Sequence, residues 1–257
     1  MELTKHEQRL FLECLLEMGD LLLDSGAEIS RVEDTLVRMG NAYGAERMNV
    51  FVIPSLISIS TCFPGNDAIT ETRRIYSTGS TDFYRLEKLN SLSRECSSHP
   101  VMLTELRQRL TRVACGRKPF FMVLVGSILG AGGFAVFFGG NLWDGLAAAA
   151  FGALICLLQR SISRTQLNTA AANVIVSLLI GLGVGMITSL LPSLNMDMIL
   201  IGDIMLLIPG LTMTNAIRNT LVGNTISGVV RLAETLIWAG SLAGGFMLAL
   251  TIVEYIH

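Results

Sequence analysis

The stretch MILIGDIMLLIPGLTMTNAIRNTLVG, Met198 to Gly223, decides how the rest of the chain is read. It is an apolar run that carries one carboxylate, Asp203, and is interrupted in its middle by Pro209 and Gly210. Pro209 has no N–H to give the carbonyl of Met205, and its ring crowds that carbonyl, so a helix should kink or split there. If the run crosses a bilayer, the split leaves backbone polar groups at membrane depth, where only surrounding protein or a water-filled cavity makes them tolerable. Broken helices near the midplane are what transporters use to hold small polar solutes. Two readings follow: a solute site, or a passive kink whose freed carbonyl is satisfied by a neighbouring helix.

Working outward, charge divides the chain. Of 257 residues 51% are hydrophobic and 16% charged, which is more apolar than an ordinary soluble domain. Residues 1–118 hold 15 of the 19 Lys and Arg and 16 of the 21 Asp and Glu. The expected fold is therefore a membrane protein, with an N-terminal cytoplasmic α+β domain over residues 1–118 followed by an all-α bundle of five transmembrane helices over residues 119–257. The opening MELTKHEQRLFLECLLEMGD has acids scattered through it and does not read as a signal peptide. Cys14, Cys62, Cys96, Cys115 and Cys156 form no close pair, and His6, His99 and His257 are dispersed, so no disulfide framework, metal site or cofactor is expected.

In the charged part, apolar residues recur at helical spacing from Leu10 to Leu23, and Gly26 should end that helix. Ser25 and Glu28 have the spacing of a capping box for a second helix, Ala27 to Tyr43. Its Ile29, Val32, Leu36 and Met39 share a face, leaving Arg31, Glu33, Asp34 and Arg38 for solvent or a partner. MNVFVIPSLISISTCF, then a turn at Pro64 to Asp67, then AITETRRI read as a hairpin, with Pro54 at an edge or a bulge. Helices are expected at about Asp82 to Cys96 and Met102 to Val113. Arg73 and Arg74 fit either an anion site or a solvated strand end. Glu28 stands as a candidate gating residue beside the bland reading of a mixed-charge helix surface.

Five apolar segments follow, about Phe120 to Phe138, Leu142 to Leu158, Ala170 to Leu191, Met198 to Ile217 and Val229 to Val253, each near bilayer length. Arg107, Arg109, Arg112, Arg117 and Lys118 precede the first, Arg160 and Arg164 lie between the second and third, and Arg218 and Arg231 between the fourth and fifth. The connectors GGNLW and PSLNMD and the tail EYIH carry no Lys or Arg. The positive-inside rule then puts the N-terminal domain in the cytoplasm and the C-terminus outside. Gly126 with Gly130, Gly181 with Gly185, and Gly240 with Gly244 have the spacing that lets helices approach closely.

Polar residues in the spans can be weighed singly. Asp203 lies about 9 Å inside its span at 1.5 Å per residue, where an ionised carboxylate is costly unless paired or hydrated, and it could carry a proton or a counter-ion. Capping of a neighbouring helix is the structural alternative. Thr212, Thr214 and Asn215 open the half-helix after the break, whose positive end would favour a substrate carboxylate. Arg231 and Glu234, three apart, read as a pair. Asn173 ranks lowest, and Asp144 beside Trp143 reads as an interface anchor. No nucleophile, base and orienting group can be named together, and no phosphate loop or zinc motif occurs, so no enzyme is expected. An ion gradient is the energy source left. A channel-like or sensory protein that moves nothing uphill is the alternative.

SGAEISRVEDT (Ser25 to Thr35), ETRRI (Glu71 to Ile75), LNSLSRE (Leu89 to Glu95) and LLIPGLTMTNAIRNTLVGNTISGVVRL (Leu206 to Leu232) together resemble the threonine/serine exporter family, closest to its split short form, the YjjP-like subunit. The likeness covers nearly the whole chain, and the combination of Pro209, Gly210, Asn215, Gly223, Gly228 and Arg231 is specific. It implies an inner-membrane exporter of small carboxylate metabolites, threonine and serine in fused members and succinate in the split pair. It also implies a second small multi-pass subunit, the YjjB-like half, while higher oligomers stay open and nothing points to nucleic acid. Members of the family often carry Asp where this chain has Asn219; if that carboxylate helps couple transport to protons in those members, this chain lacks it. A second five-span half would complete a ten-span body in which an inverted arrangement could arise.

Overall fold

The computed structural model describes residues 4–76, 81–116, 119–162, 165 and 167–256. Arg117, Lys118 and Arg164, three of the cations used to orient the chain, lie outside the described residues, as does His257 of the tail. The fold is mostly helical with one small sheet. The chain divides into two units, Met1–Arg117 with Leu211–Leu232, and Lys118–Gly210 with Ala233–His257.

In the first unit, helix α1 (Lys5–Asp24) starts at Thr4, which forms a reciprocal capping box with Glu7. Phe11, Leu15, Met18 and Leu22, spaced four, three and four apart, form its fully buried stripe. The capping box expected at Ser25 and Glu28 is not formed. Ser25 is the C-cap of α1, and its hydroxyl donates back to the Leu21 carbonyl at 2.7 Å, so it is unavailable to the next helix. Gly26, at φ 87°, turns the chain into α2 (Ile29–Ala42).

The expected hairpin is a three-stranded antiparallel meander. Strands β1 (Arg47–Ile53), β2 (Leu56–Cys62) and β3 (Ile69–Arg74) lie in sequence order, with Ile53 opposite Leu56 and Thr61 opposite Ile69. Pro54 and Ser55 form the tight turn between β1 and β2, a place where a missing N–H costs no ladder bond, so the run read as one hairpin leg is itself a hairpin. Ile57 and Ile59 of β2 point inward with complete burial. A Cβ on Gly19 of α1 would lie 2.7 Å from Ile57, which sets how closely α1 approaches the sheet.

Helices α3 (Phe83–Ser98) and α4 (Leu103–Cys115) complete the core. Tyr43 is fully buried, stacks on Phe11 at 4.5 Å between ring centroids, and both donates to the Val101 carbonyl (3.0 Å) and accepts from its N–H (3.1 Å).

Among the described residues five further helices and the longest one follow: α5 (Phe120–Phe137), α6 (Leu142–Ile162), α7 (Thr169–Leu190), α8 (Met196–Leu207), α9 (Gly210–Leu221) and α10 (Thr225–Ile256). Among the described residues α5, α6, α7 and α10 are long and apolar enough to cross a membrane, and the broken pair α8 and α9 makes a fifth if it counts as one span. The break falls where proline removes the donor: α8 stops at Leu207, and α9 begins at Gly210.

Helices α5 to α8 and the later part of α10 build the second unit. A Cβ on Gly202 would lie 2.5 Å from the Ala131 carbonyl oxygen, and one on Gly132 would lie 2.8 Å from that of Gly145, so α5 is gripped by α6 and α8 through small residues. Of the glycine pairs singled out by spacing, Gly181 and Gly185 face Ala249 and Val253 of α10, whereas Gly126, Gly240 and Gly244 meet nothing within 4 Å. Asp144 is no surface anchor. It is buried, and its carboxylate accepts from the N–H groups of Asn141 (2.8 Å) and Asn195 (2.7 Å), tying the start of α6 to the start of α8.

Candidate functional site

The start of α2 has no side-chain cap. The first N–H groups of a helix have no partner within it, and a capping side chain normally takes one of them. Glu28 occupies the N-cap position and makes no such bond. Its carboxylate instead accepts from Arg218 of α9 and lies 3.8 Å from Arg31, while its side chain is only 17% exposed. Helix N–H donors without a partner among the described residues, a positive dipole end and a partly sheltered ion pair therefore meet at one point. The approach to α2 is fixed by Asp82, whose N–H donates to the Ser25 carbonyl (3.1 Å), and by Arg85, which pairs with Asp24 at 2.9 Å.

Around this point the first unit holds a cleft of about 280 Å³. Glu28, Arg31, Thr35 and Thr81 line one part of it, and Asn90, Leu211 and Asn215 another. A smaller hollow of about 40 Å³ shares Glu28, Thr81 and Asn215 with the cleft and adds Thr212, Asn219 and Arg231. The wall from α9 and α10 depends on a close approach. A Cβ on Gly228 would lie 2.1 Å from the Thr220 hydroxyl and 2.6 Å from its nitrogen, so only glycine fits, and Gly223 at φ 95° makes the turn between the two helices.

The structure thus brings together Glu28, Thr212, Asn215, Asn219 and Arg231 from the residues singled out in the sequence. Asn219 is 5% exposed. Thr214 lies on the same helix without lining the cavities. Arg73 and Arg74 are engaged elsewhere on β3. Arg73 sits 3.9 Å from Asp20, pulling down a carboxyl that burial pushes up, and Arg74 stacks over Tyr76 at 5.1 Å. Sequence reasoning missed Arg31, Thr35, Thr81, Asn90 and Arg218 as site residues. The one local signal for any of them is the i, i+3 spacing of Glu28 and Arg31.

Asp203, Pro209, Gly210 and Glu234 belong to the second unit. Asp203 is fully buried on α8, and neither carboxylate oxygen has a hydrogen-bond partner among the described residues. Among the described residues it therefore caps no neighbouring helix. Pro209 and Gly210 form the break itself, where the Gly210 N–H donates to the Ile208 carbonyl at 2.8 Å. No group of three or more metal-ligating side chains occurs among the described residues.

A family model described as "Putative threonine/serine exporter" matches residues 13–253. The chain belongs to the threonine/serine exporter family. Among curated relatives, the "Probable succinate transporter subunit YjjP" of Klebsiella aerogenes is 20% identical, covering 98% of this chain and 97% of its own. The protein of the same name from Escherichia coli is 23% identical, over 96% of each chain. The "Threonine/serine exporter" of Corynebacterium glutamicum is 23% identical over the whole of this chain, which spans 54% of that longer protein. No solved structure matches. For a member of this exporter family, the apolar helices of the second unit fit a membrane location.

Proposed function

We propose that this chain is one subunit of an inner-membrane secondary exporter of small carboxylate metabolites, of the threonine/serine type or dicarboxylates such as succinate, driven by an ion gradient. Residues 1–118 face the cytoplasm, the broken pair α8 and α9 counts as one of five crossings, and the C-terminus lies outside. A small multi-pass partner completes the transporter.

The observation that carries this reading is the cleft at the open start of α2. A carboxylate suits the unpaired N–H groups there and the guanidinium groups of Arg31 and Arg231. Glu28 offers a counter-charge for an ammonium group, and Thr81, Thr212, Asn215 and Asn219 offer hydroxyl and amide contacts. The relatives named as exporter and as transporter subunit support the same chemistry. Asp203 is the coupling group in this proposal, because a carboxylate buried in an apolar bundle with no partner among the described residues is costly to keep and is retained where it carries protons.

The test is solute accumulation in inverted membrane vesicles carrying this chain with its small membrane partner. Serine, threonine or succinate should accumulate above empty vesicles only when an ion gradient is imposed. Accumulation equal to that of empty vesicles for all three solutes refutes the proposal.

A further inference from the structure

Beside the cleft the first unit has another hollow, of about 210 Å³, that the exporter reading leaves unused. It runs along the facing edges of α2 and α3. Arg31, Asp34, Thr35 and Arg38 line it from α2, at the i, i+3, i+4 and i+7 positions that share one helix face. Asn90, Ser93 and Arg94 line it from α3. Arg31, Thr35 and Asn90 line the main cleft as well, so the two cavities are neighbours with a common wall.

The charge of this hollow is unbalanced. It holds three guanidinium groups against the single carboxylate of Asp34, in a chain whose formal net charge is −2. Asp34 is engaged by Arg38 at 3.3 Å. Among the described residues Arg31 reaches only Glu28, at 3.8 Å, and Arg218 already holds that carboxylate. Arg94 makes no ion pair among the described residues. Like charges gathered in a concave surface repel one another and focus a positive potential outward, which raises the local concentration of anions. The polar lining of Thr35, Asn90 and Ser93 adds groups that could hydrogen-bond an oxyanion without adding charge.

We infer that Arg31, Arg38 and Arg94 form an outer station that captures the carboxylate of the solute before it enters the cleft, with Arg31 common to both stations. The inference rests on the exporter reading for the identity of the solute. It goes beyond that reading in assigning a second binding place and a kinetic role. Since the station concentrates solute and does not move it, its loss should raise the half-saturating concentration and leave the maximal rate.

The experiment compares wild type with R38Q/R94Q in the two-subunit vesicles, using succinate at about 20 mM and about 200 mM added salt, where the screening length falls from roughly 20 Å to below 10 Å. Wild type should lose apparent affinity steeply as salt rises. R38Q/R94Q should show a half-saturating concentration about tenfold higher at low salt, near the lower end of electrostatic focusing. Its salt dependence should be flat and its maximal rate within about twofold of wild type. K5Q/R9Q, which removes two cations from α1, should behave as wild type.

Equilibrium dialysis of succinate against the purified full-length chain gives a reading independent of transport. Salt-sensitive binding should be present in wild type and absent from R38Q/R94Q, with both proteins unfolding at the same temperature. Unchanged half-saturation and salt dependence in R38Q/R94Q, or an equal effect from K5Q/R9Q, overturns the outer station while leaving the exporter intact. Absence of gradient-driven uptake by wild type overturns the exporter reading instead, and the dialysis result then decides the station by itself.

Discussion

Replacing Asp203 with leucine should make the protein more stable and inactive at once. Asp203 is fully buried, with both carboxylate oxygens unpartnered among the described residues. A buried polar group left unsatisfied costs about 1 to 3 kcal/mol. Leucine branches at the same carbon and makes no such demand, so Asp203→Leu should gain about that amount. At roughly 2 to 4 °C per kcal/mol for a chain of this size, the melting temperature should rise by about 2 to 12 °C. Thermal unfolding in detergent, followed by the emission of Trp143 and Trp238, reads the first effect, and gradient-driven uptake in vesicles reads the second. Opposite signs matter here, because a loss of transport with a gain in stability cannot come from misfolding. Asp203→Asn keeps the polar burden, so it should leave the melting temperature nearly unchanged while abolishing the pH dependence of export. A melting temperature several degrees lower in Asp203→Leu, or pH-dependent export retained by either variant, refutes the role given to this carboxylate.

Glu28→Gln should lower apparent affinity for serine and threonine by about tenfold or more, since a charge-assisted hydrogen bond contributes about 1.5 to 3 kcal/mol, and should affect succinate less; vesicle uptake of the three solutes compares them. Gly228→Ala places a methyl group where the Thr220 backbone and hydroxyl already lie, so it should push α9 from α10 and reduce uptake together with thermal stability. Tyr43→Phe removes both bonds to the half-buried backbone of Val101 and should cost about 1 to 3 kcal/mol in denaturant unfolding, without a selective change in solute preference. Bonds from the Thr4 N–H and hydroxyl hold the Glu7 carboxyl below the usual glutamate range. Its folded-state value is depressed, so its stabilising effect is complete above the unfolded-state range and is lost as pH falls through the folded value. Glu7→Gln should therefore flatten the acid side of the stability profile measured by circular dichroism.

The sequence showed what local rules control. Helical periodicity marked α1 to α4, apolar length marked the helices of the second unit, and the missing N–H of Pro209 marked the break. Where two local rules competed, the reading failed: Ser25 fits the start of α2 equally well as the end of α1, and the C-cap took it. Pro54 reads as an edge position or a bulge because the stretch around it is rich in β-branched residues, whereas a tight turn uses the same missing donor at less cost. The site was legible only in pieces. Glu28, Thr212, Asn215, Asn219 and Arg231 each stood out as residues, but nothing in spacing pairs Glu28 with Arg218, which lies 190 positions away. Long-range packing chose that neighbour. The same packing brings α3 beside α2 and turns two ordinary charged helix faces into one cationic groove.

The return of Leu211–Leu232 to the first unit has a practical consequence for anyone cutting the gene. A fragment ending at residue 118, the natural place to divide a polar half from an apolar one, would carry Glu28 and Arg31 but leave behind Thr212, Asn215, Asn219, Arg218 and Arg231. Such a piece would present only part of the lining of the cleft, so a ligand screen against it would leave the proposed site untested.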